Sequence, residues 1–130
     1  MALVHHELCF GCGRTNLFGL MLELEHEGPD SVIGRCFIKQ DHQGADRWSA
    51  HEGVIAAALS EAMALLCGPD ARAKEFEVEL RGAVPVGEFL VLAATAAERE
   101  GNTIQVTAIA SAEGRPVASA RGRYATPPGS

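Results

Sequence analysis

The segment SAHEGVIAAALSEAMALLCG, residues 49–68, is almost uniformly apolar after its first residues, apart from one adjacent pair, Ser60 and Glu61. Its large apolar residues are not confined to one stripe at helical spacing, and alanine fills most of the other positions. A helix that is apolar all round is a buried one, and small alanines let neighbouring backbone approach closely. The segment therefore predicts one long central helix that carries a carboxylate in its middle.

The ends of this helix have local signals of their own. Ser49 is a predicted N-cap, with Glu52 three residues further on as in a capping box. Gly68 followed by Pro69 is typical of a helix end. The predicted helix therefore starts just after Ser49 and ends at Gly68.

Turn signals on both sides of the helix divide the rest of the chain into strands. They are GPD at 28–30, CGPD at 67–70, EGN at 100–102 and EGR at 113–115. The predicted strands are 20–25, 31–38, 75–80, 88–98, 103–112 and 117–124. Because short turns join consecutive strands, antiparallel pairing is favoured. The expected fold is α+β, in the order β-β-α-β-β-β-β, with an antiparallel sheet wrapped around one helix.

Two of these strands have informative side-chain patterns. The segment 75–80 places Phe76, Val78 and Leu80 on one face and glutamates on the other, which predicts a half-buried strand. The segment 88–98 is apolar on both faces, which predicts a strand covered on both sides. Residues 1–125 are expected to form a single domain, followed by a loose tail at 126–130.

Composition and charge limit the class of protein. A chain of 130 residues with 47% hydrophobic and 22% charged residues is typical of a soluble globular domain. The net charge of -6 opposes binding of nucleic acid, and Arg121 and Arg123 form a pair rather than a basic stripe. No apolar run reaches the roughly 18 residues that a membrane span requires.

The N-terminal residues and the cysteines bear on localisation. The opening MALVHHELCF lacks the basic region of a signal peptide. Cys36 and Cys67 lie in apolar runs, where buried free thiols are common. Both observations favour a cytoplasmic protein in a reducing compartment.

Three motifs together resemble the hotdog fold, and within it the PaaI-like acyl-CoA thioesterases. CFGCGRTNLFGLMLE at 9–23 is similar to the Cys-x-x-Cys-Gly-x-x-Asn-Pro-x-Gly-Leu opening of one subgroup, with Leu17 in place of proline. HQG at 42–44 and HEGVIAAALSEAM at 51–63 resemble the family's His-Gly-Gly-Val-Ile-Ala-x-x-Leu-Asp-Glu-Ala-Met motif, and VPVGEFL at 84–90 resembles its Pro-Val-Pro-Val-Gly turn.

The resemblance implies hydrolysis of a coenzyme A or acyl-carrier-protein thioester, without a cofactor. It also implies a homodimer whose two sheets lie side by side, often paired again into a tetramer, with acyl-CoA bound at the subunit interface. Backbone N–H groups at Glu52 and Gly53 would hold the oxyanion at the helix N-terminus. The family's catalytic aspartate corresponds to Ser60, whereas the glutamate that follows it matches Glu61.

Three hypotheses for Glu61 remain open. In the first, Glu61 is the general base and Ser60 orients its water, which requires a desolvated carboxylate in the cleft. In the second, Glu61 pairs with an arginine or a backbone donor at the dimer interface. In the third, it is exposed at the helix flank. The non-enzymatic alternative is an acyl-CoA-binding or interaction subunit that has lost the usual acid.

Other residues are candidates for supporting roles. His51 is a catalytic candidate, although a histidine at a helix start commonly bonds locally. Gln43 is a possible donor to the thioester oxygen or to water, or a plain loop residue. Arg81, Arg121 and Arg123 are candidate contacts for the phosphates of coenzyme A, with ordinary solvated arginines as the alternative.

Two further kinds of site are disfavoured. Cys9 and Cys12, near His5 and His6, have the spacing of zinc ligands, but no second Cys-x-x-Cys completes a set of four. The sequence therefore predicts no metal and a chain that folds without one. A serine hydrolase would need Gly-x-Ser-x-Gly at a strand-to-helix turn, and the His-Phe-Pro loop expected of a hydroxyacyl dehydratase is absent.

Overall fold

The computed structural model describes residues 3–128, which form six strands, one short 3-10 turn and one long helix. The elements are β1 Glu23–His26, β2 Ser31–Phe37, the 3-10 turn Gln40–His42, α1 Glu52–Cys67, β3 Arg72–Leu80, β4 Phe89–Glu100, β5 Thr103–Ala112 and β6 Arg115–Ala125. The strands form one antiparallel sheet in the order β1-β2-β4-β5-β6-β3. This confirms the predicted α+β fold and the predicted order of its elements.

The helix packs on one face of this sheet. Strands β4, β5 and β6 make most of its contacts. Its fully buried positions include Ala58, Leu59, Ala62 and Met63. Because the two alanines add little bulk, the helix backbone can approach the sheet closely, as the alanine-rich sequence predicts.

The helix ends as predicted but begins differently. Gly68 has a φ of 124°, and its N–H bonds to the carbonyls of Ala64 and Leu65, which closes the last turn. The N-cap is His51, not Ser49, because the His51 side chain accepts the hydrogen bond of the Gly53 N–H. The predicted capping box of Ser49 and Glu52 is therefore wrong.

The first strand also begins later than predicted. Residues 3–22, called the N-terminal segment from here on, contain turns but no helix or strand. The N–H groups of Leu20 and Leu22 bond to the carbonyls of Phe10 and Gly11 within this segment. Strand β1 therefore starts at Glu23, because the backbone before it already has partners outside the sheet.

Strand β3 lies at one edge of the sheet and pairs only with β6. Val78 is half-buried, but Phe76 and Leu80 are 41% and 46% exposed. The prediction of a half-buried apolar face is therefore wrong for Phe76 and Leu80 within one chain. The helix makes fewer contacts with this edge strand than with the central strands, which leaves the apolar face of β3 open.

Strand β4 is covered on only one of its two apolar faces. Leu90 and Leu92 are completely buried beneath the helix, whereas Phe89 and Val91 on the opposite face are each 40% exposed. Phe89 makes an edge-to-face contact with Phe37 at 5.3 Å between ring centroids. The predicted cover on both sides is not provided by this chain alone.

The structure contains no disulfide within the described residues. Cys9, Cys12, Cys36 and Cys67 are all free thiols, and burial raises the pKa of Cys36 to about 12. This confirms free thiols at Cys36, which is buried, and Cys67, which is half-buried. Within residues 3–128, no helix has the length and apolar character needed to cross a membrane.

His42 is a buried polar residue that fastens the loop before the helix. Its Nδ1 accepts a hydrogen bond from the Lys39 N–H at 3.1 Å, and its Nε2 lies 3.3 Å from the Phe18 carbonyl oxygen. The ring is therefore neutral, with its proton on Nε2. Burial is the main cause that lowers the pKa of His42.

This arrangement predicts a loss of stability in mild acid. Below an unfolded-state pKa of about 6.5, the unfolded chain takes up a proton that folded His42 resists, so the free energy of unfolding should fall as pH decreases toward the folded-state pKa. Urea midpoints from pH 8 to pH 5 would measure this slope. His42→Asn, which keeps an acceptor for the Lys39 N–H, should flatten it, and the exposed His6→Asn should not. Equal slopes in all three proteins would contradict the assignment.

Candidate functional site

A cleft of about 470 Å³ lies where the N-terminal segment, the middle of α1 and the start of β3 meet. The residues that line it and carry side-chain chemistry are His5, His6, Cys9, Ser60, Glu61, Asp70, Arg72 and Tyr124. The cleft thus contains the polar pair that interrupts the apolar helix. Its other walls come from segments that are remote from this pair in the sequence.

Ser60 is bound by a tyrosine from strand β6. Its Oγ lies 2.8 Å from the hydroxyl of Tyr124, which is completely buried. The Tyr124 hydroxyl also donates to the Ser60 carbonyl at 3.3 Å, so the Ser60 hydroxyl proton is free to point at Tyr124. Burial raises the pKa of Tyr124, which therefore stays protonated. Ser60 Oγ keeps lone pairs that can accept a hydrogen bond from a water molecule.

Glu61 has two carboxylate oxygens in different surroundings. Oε2 lies 2.8 Å from His5 Nδ1 and accepts from Cys9 Sγ at 3.3 Å. Oε1 makes no hydrogen bond within the described chain. Since no buried side-chain oxygen there lacks a partner, Oε1 must be in contact with solvent. The arrangement resembles the predicted structural pairing for Oε2, although His5 replaces the expected arginine, and it leaves Oε1 available for chemistry.

A second cysteine completes a compact group around Oε2. One ligand-type atom from each of His5, Cys9, Cys12 and Glu61 lies within 4.8 Å of the others. Cys12 is completely buried, and burial, with a further contribution from Glu61, raises the pKa of its thiol to about 12. A second Cys-x-x-Cys is not needed to bring four ligand-type atoms together, because folding adds Glu61 to His5, Cys9 and Cys12.

Glycine at position 11 is required by the close approach of Glu61. A Cβ atom on Gly11 would lie 2.4 Å from Glu61 Cδ, well inside van der Waals contact. The Cys-x-x-Cys turn therefore packs directly on the carboxylate of the helix. The glycine inside the turn is the sequence signal for this contact, although it does not identify Glu61 as the partner.

The helix N-terminus lies apart from the cleft, and its side chains are engaged locally. Gly53 N–H donates to His51 Nδ1 at 2.8 Å, so only Glu52 of the two predicted oxyanion donors keeps a backbone N–H free of hydrogen bonds within residues 3–128. The Glu52 carboxylate is 63% exposed and lies 3.8 Å from His51 Nδ1. His51 is thus a capping residue here, which is the local role that the sequence allows.

Gln43 is occupied within its own loop. Its Oε1 accepts from the Trp48 N–H at 2.6 Å, and its Nε2 donates to the Gln40 carbonyl at 3.1 Å. Both functional ends of the amide are therefore used. Gln43 has the geometry of a loop-fixing residue, and one N–H of its side-chain amide has no partner within the described residues.

The three candidate arginines all have acidic partners. Arg121 and Arg123 on β6 pair with Glu77 and Glu75 on β3, each at 2.9 Å, and Arg81 pairs with Glu79 at 3.0 Å. All of these side chains are exposed, so the ion pairs contribute little to stability. Glutamates already compete for the cations that the sequence assigns to phosphate binding.

Solved structures identify the fold. At 19% identity, this chain matches a protein described as a thioesterase superfamily protein with a TM-score of 0.82, covering 94% of this chain and 64% of that one. Thioesterase superfamily member 2 of zebra fish matches at 15% identity and a TM-score of 0.72, with 80% of each chain covered.

A mutant of the phenylacetic acid degradation protein PaaI from Thermus thermophilus is 20% identical, with a TM-score of 0.74, covering 81% of this chain and 92% of that one. No protein-family model matches the sequence. No curated protein matches it either. The structural similarity confirms the predicted hotdog fold.

The contact between Gly11 and Glu61 can be tested by adding a single methyl group. Gly11→Ala should lower the free energy of unfolding by about 1–3 kcal/mol, because the new Cβ must displace the Glu61 carboxylate or the turn. Gly82→Ala is the matched control, since its Cβ would meet its nearest atom at an ordinary 3.5 Å. Urea denaturation measures both. Equal effects at the two positions would rule out the close contact.

Proposed function

Because this chain has the hotdog fold of the thioesterase superfamily, we propose that it hydrolyses acyl thioesters of coenzyme A or acyl carrier protein. The observation that carries the proposal is Glu61 beside Ser60 on the wall of the cleft, with no hydrogen bond at its Oε1 within the described residues. A carboxylate at the middle of an apolar helix is costly to bury and concentrates at functional sites. Here one of its oxygens is held and the other is free.

The proposed reaction needs one activated water. Ser60 Oγ accepts a hydrogen bond from this water, and Glu61 Oε1 takes a proton from it as the oxygen attacks the thioester carbonyl carbon. The tetrahedral intermediate places negative charge on the former carbonyl oxygen. When the carbon–sulfur bond breaks, the proton on Glu61 passes to the departing thiolate, which leaves as the free thiol with the acid as second product.

In the proposed mechanism, the oxyanion donor comes from a second copy of the chain. The Glu52 N–H lies nine residues before Glu61, which along a helix corresponds to about 13 Å. One thioester carbonyl cannot contact both groups of the same helix. A dimer that sets the helix N-terminus of one subunit beside the middle of its partner's helix brings a donor and a base to the same carbonyl.

The surfaces that one chain leaves open suit such a dimer. Strand β3 has an unpaired backbone edge, and Phe76 and Leu80 on it are exposed. Two copies of β3 can pair edge to edge, which satisfies both sets of backbone groups about a twofold axis. The apolar face carrying Phe89 and Val91 would then be available for pairing two dimers, as the family resemblance implies.

Replacing the proposed base tests the mechanism. Glu61→Gln keeps the shape of the side chain but cannot accept a proton, so turnover of an acyl-CoA should fall by ~10² or more with little change in KM. Release of free thiol from a panel of acyl-CoA substrates is the measurement. Asp70→Asn, which changes an exposed carboxylate at the rim of the same cleft, should keep the wild-type rate. An unchanged rate in Glu61→Gln would remove Glu61 from the mechanism.

A second candidate function is thioester binding without hydrolysis. It is favoured by the replacement of the family's aspartate by Ser60, which Tyr124 holds at 2.8 Å. Under this alternative, saturable acyl-CoA binding occurs with no release of thiol, and Ser60→Asp raises activity. Under the Glu61 mechanism, Ser60→Asp adds little or lowers the rate, because two adjacent carboxylates in one cleft repel each other.

Charge reversal tests the proposed contacts to coenzyme A. Substituting glutamate at Arg81, Arg121 and Arg123 together should weaken binding of coenzyme A about tenfold or more at low salt, since it removes cations that can pair with phosphate. Glutamate at Arg47, Arg99 and Arg115 gives the same change in net charge at other exposed sites. Titration calorimetry measures both variants. If they bind equally well, the phosphates contact other residues.

A further inference from the structure

We propose that His5, Cys9, Cys12 and Glu61 bind a single Zn²⁺ ion that ties the N-terminal segment to helix α1. The ligand atoms are His5 Nδ1, the two cysteine sulfurs and Glu61 Oε2, which converge on one point between the segment and the helix. This inference is independent of the proposed function and replaces the sequence expectation that the chain uses no metal.

Three of the separations between the ligand atoms are close to those around one tetrahedral ion, and all four atoms lie within 4.8 Å of one another. With bonds of about 2.3 Å to sulfur and about 2.0–2.1 Å to nitrogen or oxygen, tetrahedral zinc separates its ligand atoms by roughly 3.3–3.8 Å. His5 Nδ1 lies 3.7 Å from Cys9 Sγ and 3.5 Å from Cys12 Sγ, and Cys9 Sγ lies 3.3 Å from Glu61 Oε2. The shorter His5 to Glu61 separation of 2.8 Å needs an expansion of about half an ångström.

The chemistry of the donors selects zinc. Two thiolates and one imidazole suit a borderline-soft ion and are poor ligands for Mg²⁺ or Ca²⁺, which prefer oxygen. On binding, each cysteine loses its proton to solvent, and the ion takes up the two thiolate charges and the carboxylate charge. Four protein ligands close the coordination sphere, which is typical of a structural site.

The surrounding backbone supports the proposed ligands. The His5 N–H donates to Cys12 Sγ at 3.1 Å, which is the kind of outer bond that orients and stabilises a metal thiolate. The Gly13 N–H donates to the Cys9 carbonyl at 2.8 Å and closes the Cys-x-x-Cys turn. Gly11 inside this turn leaves room for the Glu61 carboxylate.

Such an ion would fix the N-terminal segment to helix α1. The N-terminal segment has no helix or strand, and stretches of this length without secondary structure are uncommon in compact domains unless something holds them. The ion would join Cys9 to Glu61 across 52 positions of sequence. It would also hold Oε2 and leave Oε1 without a bond to the metal, so it is compatible with the proposed hydrolysis without depending on it.

The decisive measurement is the zinc content of the full chain without a metal-binding tag. The chain is purified under reducing conditions, incubated with Zn²⁺ and dialysed against metal-free buffer. Elemental analysis should find about one zinc per chain, and Co²⁺ in place of Zn²⁺ should give the absorption bands of tetrahedral thiolate coordination. These readouts are independent of thioester hydrolysis, so failure of one proposal leaves the other standing.

Variants identify the ligands. Cys9→Ser with Cys12→Ser should hold less than about 0.1 zinc per chain, and Glu61→Gln should lower zinc affinity by roughly 10–100-fold. Cys67→Ser is the matched control, because Cys67 is a half-buried free thiol outside the group. It should keep the full zinc content.

Alkylation of the wild-type thiols tests the proposal without relying on a variant that could fail to fold. Zinc should slow alkylation of Cys9 about tenfold or more, because a metal-bound thiolate is shielded, and it should leave Cys67 unchanged. A folded wild-type chain that takes up no zinc while both thiols are free would overturn the proposal. A double cysteine variant that keeps the metal, or a Cys9–Cys12 disulfide under reducing conditions, would also overturn it.

Discussion

The burial of helix α1 is the interaction on which the rest of the structure depends. The sheet covers one side of the helix, where Leu59 and Met63 are completely buried and each contributes about 1.5–3 kcal/mol through removal of apolar surface from water. Ala58 and Ala62 let the backbone of the helix approach the strands. The N-terminal segment packs beside the same helix through its contacts with Glu61. A carboxylate in the crowded middle of this helix therefore needs a partner.

Glu61 satisfies this requirement by dividing its two oxygens. Its side chain is only 14% exposed, and its Oε2 is held by His5 and Cys9 of the N-terminal segment. A free buried charge would be costly, so the segment and the helix need each other at this point. The same contact that fastens the segment leaves Oε1 without a hydrogen bond within the described residues. Tethering and chemistry can thus coexist in one side chain.

The surfaces that remain open have the character of interfaces. Strand β3 presents an unpaired edge with exposed Phe76 and Leu80, and its glutamates alternate with arginines of β6 as exposed ion pairs. The free N–H at the helix N-terminus lies about 13 Å along the helix from Glu61. A second copy of the chain, set against β3, would address the open edge and this distance together. The face of β4 that carries Phe89 and Val91 is left half-exposed by the described residues.

The sequence alone determined the elements of the fold and their order. The apolar helix, its end at Gly68 and the turns between the strands depend on periodicity and on residues that act within a few positions of themselves. The same local reasoning placed Ser60 and Glu61 together on the helix. The three motifs alone were also enough to show the resemblance to the hotdog fold.

The tertiary structure decided which groups meet. Ser49 has the chemistry of an N-cap, but the N-cap in the structure is His51. The N–H of Leu20 bonds to the Phe10 carbonyl inside the N-terminal segment instead of to a strand of the sheet. The partners of Glu61 lie 52 and 56 positions away, where no local signal reaches. The donors that bond to Glu61 are the ones that the tertiary fold places beside it, and residues adjacent in sequence do not determine them. The proximity of Cys9 and Cys12 to Glu61 therefore becomes visible only when the segment is folded against the helix.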